Sequence, residues 1–222
     1  MSGPFTAILP VKPWRLAKSR LHLADADRAL LAKAFSLDTL DTLAGCEAIG
    51  RIVVVSAEPA IAVHVASTSG AVLLQDRPML AREMLNPAVD RGRQWAQARE
   101  PDAPVVVLPS DLAALTVRTL ADALDRLSRH ERAHVPDAEG TGTTLVTALL
   151  PAALAVAYGP RSADRHSAGG SVAVVEVDPR VRRDVDRPVH LAAARDLGLA
   201  PHAAEVVQGL APRISLPARR TS

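Results

Sequence analysis

The chain has 222 residues, of which 48% are hydrophobic and 23% are charged, a globular balance that excludes gross disorder. The net charge is only +2 and aromatic residues make up 2%, so we expect neither a nucleic-acid-binding surface nor a base-stacking platform. The single cysteine, Cys46, excludes an internal disulfide framework and a cysteine-based zinc site. No secretory leader and no long apolar run is visible, so we expect a cytoplasmic protein without a membrane partner.

Short β-branched segments alternate with segments rich in alanine and leucine along the chain. We predict strands at residues 6–11, 51–56, 71–75, 105–108, 133–135, 154–158 and 172–177. We predict helices at residues 25–43, 59–66, 81–98, 117–129 and 188–197. Strands separated by helices need crossover connections, which predict an α/β three-layer sandwich with a mostly parallel central sheet. We expect a single domain over residues 1–210 and a disordered tail over residues 211–222.

The loop after the first predicted strand collects positive charge. Lys12, Lys18 and Arg20 follow Pro10 in close succession. Positioned cations can hold the triphosphate of a nucleotide, so this loop is a candidate nucleotide-binding segment. It lacks the glycine patterns of a P-loop and of a dinucleotide-binding turn, and a solvated basic loop remains the alternative.

Three aspartates follow later strands. Asp111 comes directly after the buried run 105–108, while Asp184 and Asp186 form an Asp-x-Asp pair after the last predicted strand. Side chains two residues apart in extended chain share one side, and Mg²⁺ prefers one or two carboxylates together with phosphate oxygens. The three residues therefore predict a metal site. The alternative is that Asp111 and Asp186 cap the helices that follow them.

Two further segments offer backbone donors and hydroxyl groups, which can grip a phosphate or a carboxylate. The first segment consists of Gly140, Thr141, Gly142, Thr143 and Thr144. A simple loop before a helix starting near Leu145 is the alternative for it. The second segment has a Gly159-Pro160 turn and then Ser162 near the start of a short predicted helix. His166 within it can hydrogen-bond a substrate, although a lone histidine is more often structural.

Taken in chain order, these segments resemble one family over residues 5–200. The matching motifs are Leu-Pro-Val-Lys-Pro at 9–13, Ala-Lys-Ser-Arg-Leu at 17–21, Leu-Asn-Pro-Ala at 85–88, Ser-Asp-Leu at 110–112, Gly-Thr-Gly-Thr-Thr at 140–144, Gly-Pro-Arg-Ser at 159–162 with His166, and Asp-Val-Asp at 184–186. The chain resembles the guanylyltransferases that activate 2-phospho-L-lactate or phosphoenolpyruvate in biosynthesis of the deazaflavin coenzyme F-420. The resemblance implies a nucleotidyltransferase (GT-A-like, Rossmann-like) fold. It also implies Mg²⁺-dependent transfer of GMP from GTP to the acceptor, with release of pyrophosphate.

The resemblance implies a role for each candidate residue. Lys18 and Asp111 are expected to be catalytic. The expected nucleotide contacts are Pro10, Lys12, Lys18, Arg20 and Asn86. The expected metal ligands are Asp111, Asp184 and Asp186. The expected acceptor contacts are Thr143, Thr144, Gly159 and Ser162. Expected partners are GTP, phosphoenolpyruvate or 2-phospho-L-lactate, and the next enzyme of the pathway, which would take up the labile product.

The sequence departs from the family pattern at three positions without removing a proposed ligand. Ala113 replaces a usual proline, Arg161 a usual glycine, and Arg187 a common threonine. One alternative function is a nucleotidyltransferase for molybdopterin or a sugar phosphate, but residues 9–12 lack the glycines that would favour it. Another is a catalytically inactive nucleotide-binding module, which loss of Asp111 or Asp184 would favour. The alanine- and arginine-rich composition is typical of a high-GC bacterium and, by analogy, favours phosphoenolpyruvate as acceptor.

Overall fold

The computed structural model describes residues 3–76 and 85–214, and its strands form one seven-stranded sheet. The strands are β1 (Phe5–Val11), β2 (Ile49–Ser56), β3 (Ala71–Gln75), β4 (Val105–Val107), β5 (Arg132–Pro136), β6 (Thr143–Ala148) and β7 (Val172–Ala173). The helices are α1 (Asp25–Ala44), α2 (Ile61–Ser67), α3 (Leu85–Arg99), α4 (Val117–Leu127), α5 (Ser162–Ala168), α6 (Pro179–Arg182), α7 (Pro188–Leu197) and α8 (Pro201–Leu210).

The strand order is β3-β2-β1-β4-β6-β5-β7, and only β6 runs against the other described strands. The predicted mostly parallel sheet is therefore confirmed. Because β6 is antiparallel, its first residue lies at the edge where its neighbours end. The connection from β5 to β6 is a hairpin at that carboxyl edge, which is where ligands gather in open α/β sheets.

Alternating side chains of β1 separate the two faces of the sheet. Ala7, Leu9 and Val11 pack with α1, α2 and α4 on one face. Ile8 packs with α3 on the other face, giving three layers. Helix α3 lies very close to the sheet, because a Cβ on its Gly92 would approach Ile8 Cγ2 to 2.5 Å. This close approach lies at the middle of β1.

Helices α7 and α8 pack on the outer side of α1 and form a third apolar cluster with it. Phe35 of α1, Leu191 of α7 and Val207 of α8 are buried there. Ile214, at the end of the described chain, packs against the same cluster. Residues 211–213 thus form a turn before Ile214, while residues 215–222 lie outside the described part, so the disorder expected for residues 211–222 stays a prediction. None of the described helices is both long and apolar enough to cross a bilayer.

Several sequence predictions are wrong in detail. Residues 143–148, for which a helix from about Leu145 was one alternative, form strand β6. Residues 154–158 form no strand; they carry the chain along the face that α3 covers. The strand predicted at 172–177 is reduced to two residues. Helices α6 and α8 have no counterpart among the predictions. Helix α3 is described only from Leu85, so residues 81–84 of its predicted span lie outside the described part.

Candidate active site

A cavity of about 540 Å³ opens at the carboxyl edge of the sheet, beside the ends of β1 and β4. The residues that line it include Pro10, Lys12, Trp14, Lys18, Arg20, Asp111, Thr143, Tyr158, Asp184 and Asp186. Candidate cations, candidate metal ligands and one candidate acceptor contact therefore share one cavity. These residues come from five separate parts of the sequence, which the sheet brings together.

Lys18 lies at the centre of the charged part of the cavity. Its Nζ is 2.5 Å from Asp111 Oδ2 and 3.3 Å from Asp186 Oδ1. Burial alone would lower the pKa of Lys18, but the Asp111 and Asp186 carboxylates outweigh it and hold the pKa above its ordinary value. Lys18 is therefore a protonated cation that pairs with two carboxylates. Its backbone has a φ of 58°, a left-handed conformation that is uncommon outside glycine.

Asp184 and Asp186 flank a buried residue, and this explains how both reach the cavity. Val185 is completely buried in the apolar cluster under α7. Its N–H donates to the main-chain oxygen of Asp111 at 3.2 Å. Because side chains alternate along extended chain, anchoring Val185 in the core turns both aspartates toward the opposite side. The same hydrogen bond fixes the pair beside Asp111.

The two capping alternatives are not observed. Thr116 caps the helix that follows Asp111, through a capping box with Thr119. Arg187, and not Asp186, occupies the N-cap position of α7, and no side chain caps that helix. Asp111 and Asp186 thus point to the cavity and leave the helix ends to other residues.

Asp111, Asp184 and Asp186 fit a hard divalent cation. Each offers a carboxylate oxygen, and these three oxygens lie within 4.8 Å of one another. Asp111 Oδ1 and Asp184 Oδ1 are buried and have no hydrogen-bond partner among the described residues. Buried polar atoms are normally paired, so two orphaned carboxylate oxygens in this cluster favour a ligand there.

The electrostatics of the aspartates support the same interpretation. Burial, and then the nearby Asp111 and Asp186 carboxylates, raise the pKa of Asp184 to about 7. Burial also acts to raise the pKa of Asp186, but Lys18 outweighs it and the pKa lies below its ordinary value. Three clustered carboxylates with one ammonium leave an excess of negative charge, which a divalent cation would neutralise.

A second group, Asp137, Glu139 and Asp184, also brings carboxylate oxygens together. Two of its members are already engaged. Glu139 Oε1 pairs with Arg183 Nη1 at 2.7 Å, and Asp137 Oδ1 accepts from Thr141 N–H at 2.9 Å. The group of Asp111, Asp184 and Asp186 therefore fits a metal better.

The expected nucleotide contacts separate into two sets. Pro10, Lys12 and Arg20 line the cavity with Lys18, and the Lys12 and Arg20 side chains are exposed. Asn86 has a different environment: its Oδ1 accepts from Tyr158 N–H at 2.9 Å, and its Nδ2 donates to Tyr158 O at 3.1 Å. The Asn86 amide thus holds the chain just before Gly159, on the side of the expected acceptor contacts.

The expected acceptor contacts gather around the β5–β6 hairpin and the start of α5. Thr143 lines the cavity, and Ser162 donates to Thr143 Oγ1 at 3.0 Å. The Thr144 hydroxyl instead donates to Val135 O at 3.3 Å, inside the sheet. Ala163 N–H donates to Thr141 O at 3.2 Å, which joins α5 to the hairpin. Thr143, Thr144 and Ser162 therefore form one connected unit.

The turn before α5 has left-handed backbone at two positions. Gly159 has a φ of 124°, and Arg161, at the N-cap of α5, has a φ of 54°. Arg161 stands where the resembled family usually has glycine, so this departure places a side chain in a conformation that glycine adopts without cost. The Arg161 side chain is exposed and pairs with Asp164.

Two aromatic cavity residues were not identified from the sequence. The Tyr158 Oη and the Trp14 Nε1 are buried without a partner in the described part of the chain, and both residues line the cavity. Burial, and then the Asp111 carboxylate, raise the pKa of Tyr158, so its hydroxyl keeps its proton and can donate. The low aromatic content of the chain could have drawn attention to both residues, but no motif distinguishes them.

Comparisons with solved structures place this fold among nucleotidyltransferases. A protein from Desulfovibrio desulfuricans G20, named as a candidate nucleotide-diphospho-sugar transferase, matches with a TM-score of 0.69 and 16% identity, over 96% of this chain and 97% of its own. A 4-diphosphocytidyl-2C-methyl-D-erythritol synthase matches with a TM-score of 0.59 and 15% identity, over 89% of this chain and 99% of its own. At these identities the likeness concerns the fold, and it confirms the predicted nucleotidyltransferase sandwich.

Sequence comparisons are more specific. A phosphoenolpyruvate guanylyltransferase of Salinispora arenicola (strain CNS-205) is 37% identical over 216 residues, covering 96% of this chain and 97% of the relative. One of Geodermatophilus obscurus is 38% identical over 216 residues, covering 93% and 95%. The model of the family described as "Guanylyl transferase CofC like" matches residues 5–168. The chain therefore belongs to the CofC-like guanylyltransferase family.

Proposed function

We propose that this protein transfers GMP from GTP to phosphoenolpyruvate, with release of pyrophosphate, in biosynthesis of coenzyme F-420. The observation that carries the proposal is the convergence of Lys18, Asp111, Asp184 and Asp186 on one cavity. Membership of a guanylyltransferase family supports the nucleotide, and relatives named phosphoenolpyruvate guanylyltransferase support the acceptor. The free, buried thiol of Cys46 favours a reducing compartment, so we propose that the reaction occurs in the cytoplasm.

In this proposal, Asp111, Asp184 and Asp186 hold Mg²⁺. When bound, the ion would supply positive charge beside the phosphate oxygens, which stabilises the charge of the transition state. The oxygen-only donor set suits Mg²⁺, and the two unpartnered buried oxygens of Asp111 and Asp184 are its proposed ligand atoms. The ammonium of Lys18 remains beside Asp111, where it can orient that carboxylate and face a phosphate oxygen.

The cation-rich loop is the proposed nucleotide side of the cavity. Lys12 and Arg20 are exposed at the rim, where both side chains can meet the triphosphate. Arg20 also lies close enough to Asp186 for its charge to lower the pKa of that carboxylate. The acceptor's phosphate oxygen attacks the α-phosphorus of GTP, the bond from that phosphorus to the bridging oxygen breaks, and pyrophosphate leaves. Because the attacking oxygen is already anionic, the reaction needs alignment and charge neutralisation and no side-chain base.

The β5–β6 hairpin and the start of α5 form the proposed acceptor side. Phosphoenolpyruvate carries a carboxylate and a phosphate, so it needs donors at both ends. The Thr143 hydroxyl and the backbone N–H groups of Thr144, Gly159 and Ser162 are the proposed donors for its anionic groups. The Ser162 hydroxyl supports them indirectly, because its proton is donated to Thr143 Oγ1. They adjoin Asp111 and Asp184 through Thr143, which lines the same cavity.

The direct test is an assay of pyrophosphate release from purified protein supplied with GTP, Mg²⁺ and either phosphoenolpyruvate or 2-phospho-L-lactate. We expect turnover with phosphoenolpyruvate, dependence on Mg²⁺, and preference for GTP over CTP. Release of pyrophosphate only when CTP and a sugar phosphate are supplied would overturn the proposal. Nucleotide binding without any turnover would instead indicate the inactive binding module.

The division of the cavity is tested by Ser162→Ala, which removes the hydroxyl that donates to Thr143 Oγ1. We expect this variant to raise the KM for the acceptor by up to about tenfold, because Thr143 loses one of the hydrogen bonds that orient its hydroxyl, while the KM for GTP changes little. Lys12→Met is the counterpart on the nucleotide side, with the opposite expectation. If Ser162→Ala weakened GTP binding instead, the hairpin would belong to the nucleotide side.

A further inference from the structure

His166 is the buried histidine of α5, and it joins two parts of the acceptor side. Only 3% of its surface is exposed. Its Nδ1 is 3.0 Å from Thr143 Oγ1, on strand β6. Its Nε2 accepts from Ala157 N–H at 2.9 Å, just before the Gly159 turn. A single imidazole thus contacts both segments that the proposed function assigns to the acceptor.

These contacts determine the tautomer of His166. A backbone N–H can only donate, so Nε2 must carry a lone pair. Burial, and then the charge of nearby His134, lower the pKa of His166 to about 4, so the ring is neutral near pH 7. A neutral imidazole has one proton, which must then be on Nδ1. Nδ1–H therefore donates to Thr143 Oγ1.

The tautomer in turn determines what Thr143 can do. Its hydroxyl oxygen accepts from His166 Nδ1–H and from the Ser162 hydroxyl, which uses both lone pairs. Its own proton has no recorded acceptor within the described part of the chain, and Thr143 lines the cavity. Thr143 is only 8% exposed, so its hydroxyl is held as a donor at the cavity wall. A donor of fixed direction suits an anionic oxygen.

We propose that His166 is a positioning residue of the acceptor site, which orients the Thr143 hydroxyl as a donor to an anionic oxygen of the acceptor and anchors the chain before Gly159. The proposal rests on the proposed function for the identity of the acceptor. His166 does not itself line the cavity. It acts through Thr143 on one side and through Ala157 on the other.

The first test measures the tautomer and needs no turnover. In ¹⁵N-histidine NMR spectra of the wild-type protein at pH 7, we expect His166 to show a protonated Nδ1 and an unprotonated Nε2. The His166→Leu and His134→Leu spectra assign the two buried rings. A protonated Nε2 in His166 would overturn the proposal whatever substrate the enzyme uses.

The second test compares kinetic constants. His166→Leu should raise the KM for phosphoenolpyruvate roughly tenfold or more, and leave the KM for GTP within about twofold. His166→Asn should recover much of that loss, because its amide N–H can reach Thr143 from nearly the place of Nδ1. The matched control is His134→Leu, which removes a neighbouring buried imidazole that bonds Ser171 and does not touch Thr143. We expect its acceptor KM to stay near that of the wild type.

Combination with Thr143→Val separates positioning from general packing. If His166 acts through the Thr143 hydroxyl, the double variant with His166→Leu should raise the acceptor KM by clearly less than the product of the two single effects, because only the anchoring of Ala157 is left for His166→Leu to remove. Independent, multiplying effects would overturn the proposal, as would equal losses for GTP and acceptor. If His166→Leu fails to fold, His166→Asn and the NMR measurement still decide the question. If the wild type uses neither phosphoenolpyruvate nor 2-phospho-L-lactate, the proposed function is wrong. In that case the NMR measurement of the tautomer still decides whether His166 orients the Thr143 hydroxyl as a donor.

Discussion

Replacement of Lys18 by methionine separates the structural from the catalytic role of its ammonium group. Methionine keeps most of the aliphatic stem and removes the charge that lies between Asp111 and Asp186. Removing one partner of a buried ion pair costs about 3–5 kcal/mol. The Asp186 side chain is 45% exposed, so water compensates for part of the loss and we take the lower end, about 3 kcal/mol. For a chain of this size, that corresponds to a fall of about 6–12 °C in Tm.

The assay is thermal unfolding in buffer containing chelator and again in excess Mg²⁺. In wild-type protein the Lys18 ammonium and a divalent cation compete for the same carboxylates. In Lys18→Met that competition is absent, so Mg²⁺ should raise the Tm of the variant more than that of the wild type. Turnover should nevertheless remain low with Mg²⁺ present, because the metal restores the charge balance but not the ammonium.

Lys12→Met is the matched control, since Lys12 belongs to the same loop and lines the same cavity but is exposed. Its Tm should stay within about 1 °C of the wild-type value, as is usual for exposed substitutions. Equal Tm values for Lys18→Met and Lys12→Met in chelator would contradict a buried ion pair of Lys18. A Mg²⁺-induced rise in Tm that is no larger for Lys18→Met than for the wild type would contradict the competition for the carboxylates.

Three further predictions concern single groups. Asp184→Asn should lower turnover by orders of magnitude, because it removes a proposed metal ligand. The same variant should have a higher Tm in chelator at pH 8, because it removes a buried carboxylate whose pKa is raised to about 7, and a lower Tm would contradict this. Arg161→Gly should raise the free energy of unfolding by about 0.5 kcal/mol, and Arg161→Val should lower it by about 1 kcal/mol or more, because only glycine adopts the left-handed backbone freely; urea titration measures both. The pKa of His166 is lower in the folded chain than in the unfolded one, so the free energy of unfolding should decline as the pH falls from 6.5 toward 4. Between pH 7 and pH 5, protonation of this one group should lower the free energy of unfolding by about 2 kcal/mol. His166→Asn should remove that part of the pH dependence.

The parallel half of the sheet could be read from the sequence because its strands are apolar and separated by helices of regular period. Strand β3 and helix α7 have the predicted bounds, and α7 begins with a proline that suits a first helical turn. Helix α8 also starts with proline and buries residues at helical spacing, so the sequence contains the signal for this helix as well.

Strand β6 and the ion pair of Lys18 illustrate what the sequence could not supply. A six-residue segment that mixes threonines with apolar residues fits a strand or the start of a helix, and β6 is decided by its pairing with β4 and β5, which local patterns do not encode. Lys18 was expected to meet a nucleotide, yet its carboxylate partner is 93 residues away in the chain. The tautomer of His166 depends on one backbone N–H, so no motif could indicate it.

The single reversed strand has a consequence for how substrate preference can change. The cation loop and Asp111 are attached to the parallel strands β1 and β4, whereas the hairpin before β6, the turn at Gly159 and helix α5 are consecutive in the chain, within residues 137–168. The proposed acceptor contacts are thus concentrated in one uninterrupted stretch of about thirty residues. Under the proposed division of the cavity, exchanging that stretch between relatives should transfer the choice of acceptor and leave the proposed nucleotide side unaltered.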